Sequence, residues 1–281
     1  MRPLVGGHVS VAGGLYRAFE NAEVIGARTV QFFGASPRQW FSPLPTAESI
    51  KQFELARKDS NVQTFFLHAP YLPNIANPDK DARIKSINAL TGHLTIVRLL
   101  KSNGLIFHIG SSKPLPREDA VDVIVESMHE ILKNVPGDTH LIIENSAGGG
   151  FRIGSTPEEI GEIVTRVKSD RVKVCIDTAH AFEAGMIESY TPENIKMFFN
   201  RCDAAFGIDR ITALHVNDSK TAFNSHHDRH ENIGEGQIGL DGFKNLAQEK
   251  RLSHTSWILE VPGFDDTGPD KKNVDILNAC F

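Results

Sequence analysis

Four of the chain's twelve histidines fall between positions 215 and 230: His215, His226, His227 and His230. Asp218 and Asp228 stand among them. Neutral imidazole is the commonest metal ligand among side chains, and a carboxylate beside it supplies the charge a divalent cation needs. Asp228 and His230 are two residues apart, so in an extended segment both side chains leave the same face. A solvated polar loop would read much the same. Recurrence elsewhere separates the two readings. Apolar runs along the chain end in His68, His108, Glu144, Asp177, His215 and Glu260, and His180 lies three residues past Asp177.

Taken singly, each of these residues has an ordinary explanation. His68 or His108 can be a satisfied core histidine, Glu144 can cap a helix or pair with lysine, and Asp177 before Thr178 can be a helix N-cap. Taken together, carboxylates and imidazoles gathered at one place would be poorly solvated and mutually repulsive, and bound cations remove both problems. Nine candidate ligands, His68, His108, Glu144, Asp177, His180, His215, Asp228, His230 and Glu260, exceed what one tetrahedral zinc takes. Two or three ions are the natural count, and mixed His and carboxylate ligation suits zinc or manganese.

Bringing residues so far apart in sequence to one place is a task for the fold. Eight short apolar runs (4–9, 29–33, 62–67, 105–107, 140–143, 172–176, 211–216, 257–259) each precede an amphipathic stretch. The helical stretches fall near 15–25, 46–58, 79–102, 118–133, 156 onward, 192–202, 240–248 and 269–280. Two of them open with Thr-Pro-Glu, an N-cap followed by proline and an acid in the first turn. Eight strand–helix units predict a (β/α)8 TIM barrel over a single domain, residues 1–281. Parallel strands with right-handed crossovers place all strand C-termini at one mouth, where the candidate ligands then meet. A doubly wound open sheet is the alternative, but no G-x-G-x-x-G follows the first run.

Composition bounds the setting. Hydrophobic residues make up 40% and charged residues 23%, an ordinary balance for a globular protein. No run is long and apolar enough to span a membrane, and the N-terminus shows no secretory segment. Cys175, Cys202 and Cys280 are few and scattered, which predicts a reducing, cytoplasmic setting and no thiolate metal site. The net charge of −5 offers no global attraction for nucleic acid, so such a partner needs a locally positive face or bound cations. His8 follows the first run and either faces the site or serves the fold, whereas His93, His129, His140 and His254 fall where structural or solvent-exposed roles are expected.

Two loops at the same mouth carry a further pattern. Arg38-Gln39-Trp40-Phe41 follows the second run, and Tyr71-Leu72-Pro73-Asn74 follows His68. Exposed Arg, Tyr and Leu at loop tips suit entry into a groove or the space of an unstacked base. Packing beneath a long loop is the other reading.

These residues lie within motifs that resemble the endonuclease IV family, the zinc-dependent apurinic/apyrimidinic endonucleases of base-excision repair. The motifs are GGHVSVAGG (6–14), LHAPYLPNIA (67–76), FHIGS (107–111), IIENSAG (142–148), CIDTAHAFEAG (175–185), HVNDSK (215–220), DRHENIGEG (228–236) and ILEVPG (258–263). The resemblance implies a (β/α)8 barrel with three zinc ions, manganese standing in at one or more sites. It implies one ion on His68, His108 and Glu144, a second bridged by Glu144 and completed by Asp177, His215 and Glu260, and a third on His180, Asp228 and His230. Arg38, Tyr71 and Leu72, with Asn74 beside them, fall where the family enters DNA, and Arg229 is similar to a phosphate-contacting position. The implied reaction is hydrolysis 5′ to an abasic site in double-stranded DNA by a monomer, cytoplasmic or nucleoid-associated in a bacterium. It leaves a 3′-hydroxyl and a 5′-deoxyribose phosphate, with Glu144 the candidate catalytic residue that orients water. The chain departs from the family in Gly-Gly-His where many members have Gly-Ala-His, and in a short, divergent segment after Glu260.

Two other classes compete. A metal-dependent sugar isomerase or epimerase would need only Glu144, Asp177, His215 and Glu260. A non-catalytic DNA-binding or metal-storage barrel would have no use for the open coordination positions that so many ligands provide.

Overall fold

The computed structural model describes residues 2–34, 36, 39–41 and 43–281. In chain order the elements are β1 (Leu4–His8), α1 (Arg17–Ile25), β2 (Thr29–Phe33), α2 (Ala47–Asp59), β3 (Thr64–His68), α3 (Lys80–Leu100), β4 (Leu105–His108) and α4 (Arg117–Asn134). There follow β5 (Leu141–Glu144), α5 (Pro157–Val167), β6 (Val172–Asp177), α6 (Thr178–Glu183), α7 (Pro192–Phe206), β7 (Ile211–His215), β8 (Asp218–Ser219), β9 (His230–Glu231), α8 (Gly239–Leu246), β10 (Ser256–Leu259) and α9 (Lys271–Asn278). Strands β1 to β7 and β10 pair in parallel and close into a barrel in the order β1-β10-β7-β6-β5-β4-β3-β2. The expected (β/α)8 architecture is therefore present.

Strand parity aims the site. Phe66, Ile106, Ile142, Cys175, Ala213 and Ile258 form a separate buried cluster. Each lies two residues before His68, His108, Glu144, Asp177, His215 or Glu260. Alternate strand residues share a face, so the apolar layer that plugs the barrel sets the next layer of side chains pointing inward above it. The bulk of the core lies outside the barrel wall, where the helices cover the strands' other faces.

Helix starts follow the sequence signals. Thr156 caps α5 by accepting from Glu159 N, Thr191 caps α7 by accepting from Asn194 N, and each helix begins with proline. Three elements were not expected. The six-residue α6 starts directly after β6, and β8 pairs antiparallel with β9 to pin both ends of the loop between them. The three cysteines are free and buried. No helix among the described residues is long and apolar enough to cross a membrane.

The secondary histidines have structural posts. His129, His140 and His254 face the backbone carbonyls of Val167, Asn103 and Ile211. His93, on α3, is buried, and neither ring nitrogen has a hydrogen-bond partner among the described residues. Burial, aided by the charge of His68, pushes its pKa down from 6.5 to about 4. The unfolded chain therefore binds a proton between these values that the folded chain refuses, so stability is full above pH 6.5 and falls as pH drops toward 4. His93→Leu is expected to remove this component. Chemical denaturation of wild type and variant should show the wild type losing about 2 kcal/mol more than the variant between pH 7.5 and pH 5.

Candidate metal centre

The six strand-end residues converge as their parity requires. Glu144, almost wholly buried, lies at the centre. Its Oε1 is 2.9 Å from His215 Nδ1 and 3.4 Å from His180 Nδ1. Its Oε2 is 2.9 Å from His68 Nε2 and 3.4 Å from His108 Nε2. Glu260 Oε2 approaches His215 Nδ1 at 3.2 Å. Asp177 has two roles: Oδ1 caps α6 by accepting from His180 N, while Oδ2 turns toward His230 Nε2 at 3.5 Å. The helix-cap reading and the metal-ligand reading of Asp177 are compatible, one oxygen serving each. Asp228 Oδ1 completes the cluster, 3.3 Å from His180 Nε2 and 3.6 Å from His230 Nε2.

Among the described residues these side chains form three overlapping groups whose ligand atoms lie within 4.8 Å of one another. They are His68, Glu144 and His215; Glu144, Asp177, His215 and Glu260; and Asp177, His180 and His230. The second coincides with an expected set. The other two differ in detail: His215 stands with His68 and Glu144 where His108 was expected, His108 lying 3.4 Å from Glu144 Oε2, and Asp177 belongs to two groups.

The imidazoles and carboxylates of the cluster charge one another. Burial works to raise the Glu144 carboxyl, but the imidazoles around it, His108 and His215 foremost, hold it well below the usual carboxylate range. Asp228 is held low against burial by His180. Burial disfavours a charged His180, yet Asp177 and Asp228 raise it well above the ordinary imidazole value. Protons on the imidazoles thus balance the carboxylates, a role that a bound cation would take over. Nonetheless, the buried Nε2 atoms of His180 and His230 make no hydrogen bond to any described residue, although carboxylate oxygens lie within 3.6 Å. Bare nitrogens aimed at shared carboxylates, without hydrogen-bond geometry between them, fit a metal ligand set and fit a plain ion-pair network badly.

Several residues that position the cluster are not among the candidate ligands. Asn145 Oδ1 accepts from Asp177 N, and Asn217 donates to Asp177 Oδ2 while its Oδ1 accepts from Glu260 N. The buried Asp218 accepts from the backbone N–H groups of Ser219, Gly234, Gly236 and Ile238, which winds the 218–239 loop around one carboxylate. Glu183 Oε1 accepts from Ser219 Oγ and from Arg229 N, between the two candidate loop ligands Asp228 and His230. His226 and His227 stay outside the cluster: His226 Nδ1 faces Ala147 O, and His227 is exposed. His8 reaches its edge, 3.2 Å from Glu260 Oε1.

The mouth loops sort differently from the sequence expectation. Tyr71 is 69% exposed and Leu72 37%, beside His68. Arg229 is exposed, its guanidinium donating to Asp228 O. Asn74 is turned inward instead. Its amide donates to Ser111 O and accepts from Ser111 N and Ala76 N, tying the β3–α3 loop to the β4–α4 loop. Gly110 allows this approach, because it adopts φ +108° and a Cβ there would sit 2.1 Å from Asn74 Oδ1. Arg38 lies outside the described residues.

Comparison with known proteins supplies the family. A family model described as xylose isomerase-like TIM barrel matches residues 19–280. The protein named "Probable endonuclease 4" of Aquifex aeolicus is 33% identical over 99% of this chain and 98% of its own length. Its namesake in Persephonella marina is 34% identical over 99% and 96%. The solved structure of endonuclease IV from Thermus thermophilus superimposes with a TM-score of 0.86 at 29% identity, covering 99% of this chain and 98% of that one. A D-tagatose 3-epimerase-like protein has a TM-score of 0.76 at 19% identity, a likeness of fold alone. With the full-length identity to the endonuclease 4 proteins, the chain belongs to the endonuclease IV family, nucleases built on the xylose isomerase-like TIM barrel.

Proposed function

We propose that the protein incises double-stranded DNA by hydrolysing the phosphodiester 5′ to an abasic nucleotide, leaving a 3′-hydroxyl and a 5′-deoxyribose phosphate, and that it does so as a cytoplasmic monomer with three divalent ions. One observation carries the reading: His180 and His230 present bare, buried nitrogens to Asp177 and Asp228, beside a complete second group around Glu144. His68, His108 and Glu144 would hold one zinc, Glu144, Asp177, His215 and Glu260 a second, and His180, Asp228 and His230 with Asp177 a third, manganese replacing zinc at one or more. Bound there, such ions supply Lewis-acid neutralisation of phosphate charge and a water acidic enough to attack near neutral pH. Glu144, shared by two of the groups, would orient the attacking water. Arg229 meets the DNA backbone from the open side of the centre. Tyr71 and Leu72 occupy the space left by the missing base, and Arg38 acts with them. An abasic nucleotide is already unpaired, so drawing it toward the centre costs less than flipping a paired one.

The test is a duplex with one tetrahydrofuran abasic analogue, which cannot undergo β-elimination. Protein as purified should cut it to a 3′-hydroxyl product, chelator-treated protein should not, and added zinc should restore cutting. Protein with its ions bound that leaves the duplex intact would overturn the proposal. Tyr71→Ala should raise KM for this duplex roughly ten- to hundredfold, the cost of one lost stacking partner, with kcat and bound ions near wild type. Steady-state incision and metal analysis check it.

A further inference from the structure

Three imidazoles of the centre share a pattern. His68 Nδ1 faces Ala69 O at 2.7 Å, His180 Nδ1 faces Asn145 O at 3.0 Å, and His230 Nδ1 faces Glu260 O at 3.3 Å. A carbonyl only accepts, so each of these nitrogens carries the hydrogen, and the other nitrogen keeps its lone pair for the carboxylate side. His215 is the exception in kind. Its far nitrogen, Nε2, faces a side chain, Gln31 Oε1, at 2.8 Å.

Gln31 is fully buried on β2, between His8 and Phe66 in the sheet register. Its Nε2 lies 2.6 Å from Glu260 Oε1 and 2.9 Å from His8 Nδ1. An ionised carboxylate only accepts, so the amide nitrogen must face Glu260 and the amide oxygen must face His215. That leaves His215 Nε2 as the protonated nitrogen and Nδ1 as the bare one, 2.9 Å from Glu144 Oε1 and 3.2 Å from Glu260 Oε2. Both N–H groups and the oxygen of the amide are used, so its orientation is determined by chemistry.

We propose that Gln31 is a positioning residue of the metal centre: one amide selects the His215 tautomer and clamps Glu260, two members of the same four-residue group, from β2, two strands round the barrel from β10. The proposal rests on the metal-centre reading above. It places on a side chain, open to mutation, the orienting role that backbone carbonyls play for His68, His180 and His230.

Gln31→Met keeps length and volume and removes both contacts. The expected result is a folded variant in which one of three ions is held roughly 10- to 100-fold more weakly in chelator competition. Its cobalt-substituted form should show an altered visible spectrum, and kcat should fall while KM for the abasic duplex stays near wild type, because Gln31 is buried away from DNA. Gln31→Glu keeps the acceptor for His215 Nε2–H but sets a second carboxylate against Glu260. It too should weaken ion binding and shift the cobalt spectrum. A folded Gln31→Met with wild-type ion affinity, cobalt spectrum and kcat overturns the proposal. If that variant does not fold, wild-type behaviour of Gln31→Glu overturns it instead. Wild-type protein that binds no ions would overturn the metal-centre reading itself, an outcome distinct from either.

Discussion

Glu144→Gln is expected to lower kcat for abasic-duplex incision roughly a thousandfold, the loss of several kcal/mol of transition-state charge stabilisation. The reason is its position. One carboxylate meets His215 and His180 through Oε1 and His68 and His108 through Oε2, and it is buried. Gln preserves the shape but removes the charge and turns an acceptor into a donor aimed at imidazole nitrogens. Two ions should be lost or loosened together, which metal analysis would show as a drop of more than one equivalent. The ion-free variant should also unfold more readily than ion-free wild type, since removing one partner of a buried charge cluster costs about 3–5 kcal/mol. Single-turnover incision, ion content and denaturant titration measure the three effects. A variant that keeps its ions and cuts within tenfold of wild type would remove Glu144 from the centre of the mechanism.

The candidate metal centre was legible in the sequence because barrel geometry converts strand ends into neighbours. His68, His108, Glu144, Asp177, His215 and Glu260 each stand two residues after an apolar residue that plugs the barrel, so inward direction and mouth location follow from one parity rule. What was not legible has physical causes of its own. Helix α6 is six residues long, too short to show a helical period, and Asp177-Thr-Ala-His180 reads equally as a loop carrying ligands. The β8–β9 pair has two residues a side, below any alternation signal. Asn74 sits in a loop beside exposed Tyr71, and only the course of the β4–α4 loop turns its amide inward to Ser111. Gln31, Asn145 and Asn217 are neutral amides on or just after strands, where residue type alone announces neither charge nor metal affinity. Their importance arises from what they orient. The grouping of His215 with His68 depends on side-chain reach across the barrel, which no spacing along the chain encodes.

Asp228→Asn separates the nuclease from a sugar isomerase of the same fold. Asp228 lies on the open side of the centre, its side chain 46% exposed, so the substitution leaves no buried cavity and should change Tm by little. Its carboxyl is nevertheless held ionised by His180, and it faces the bare nitrogens of His180 and His230. Losing that charge should release one ion of three and lower kcat roughly a hundredfold, as Lewis-acid neutralisation of phosphate charge weakens. Ion binding at Glu144, Asp177, His215 and Glu260 should survive, because none of these residues depends on Asp228 for its hydrogen bonds. An isomerase would work through those four residues and would tolerate the change. The measurement is ion stoichiometry alongside incision, with ketose and aldose conversion assayed on the same preparations. Two ions bound and incision lost would place phosphodiester chemistry on the third group. Three ions bound and incision unchanged would mean that Asp228 serves only the loop, leaving the His180 and His230 nitrogens without the charge that the proposed mechanism needs beside them.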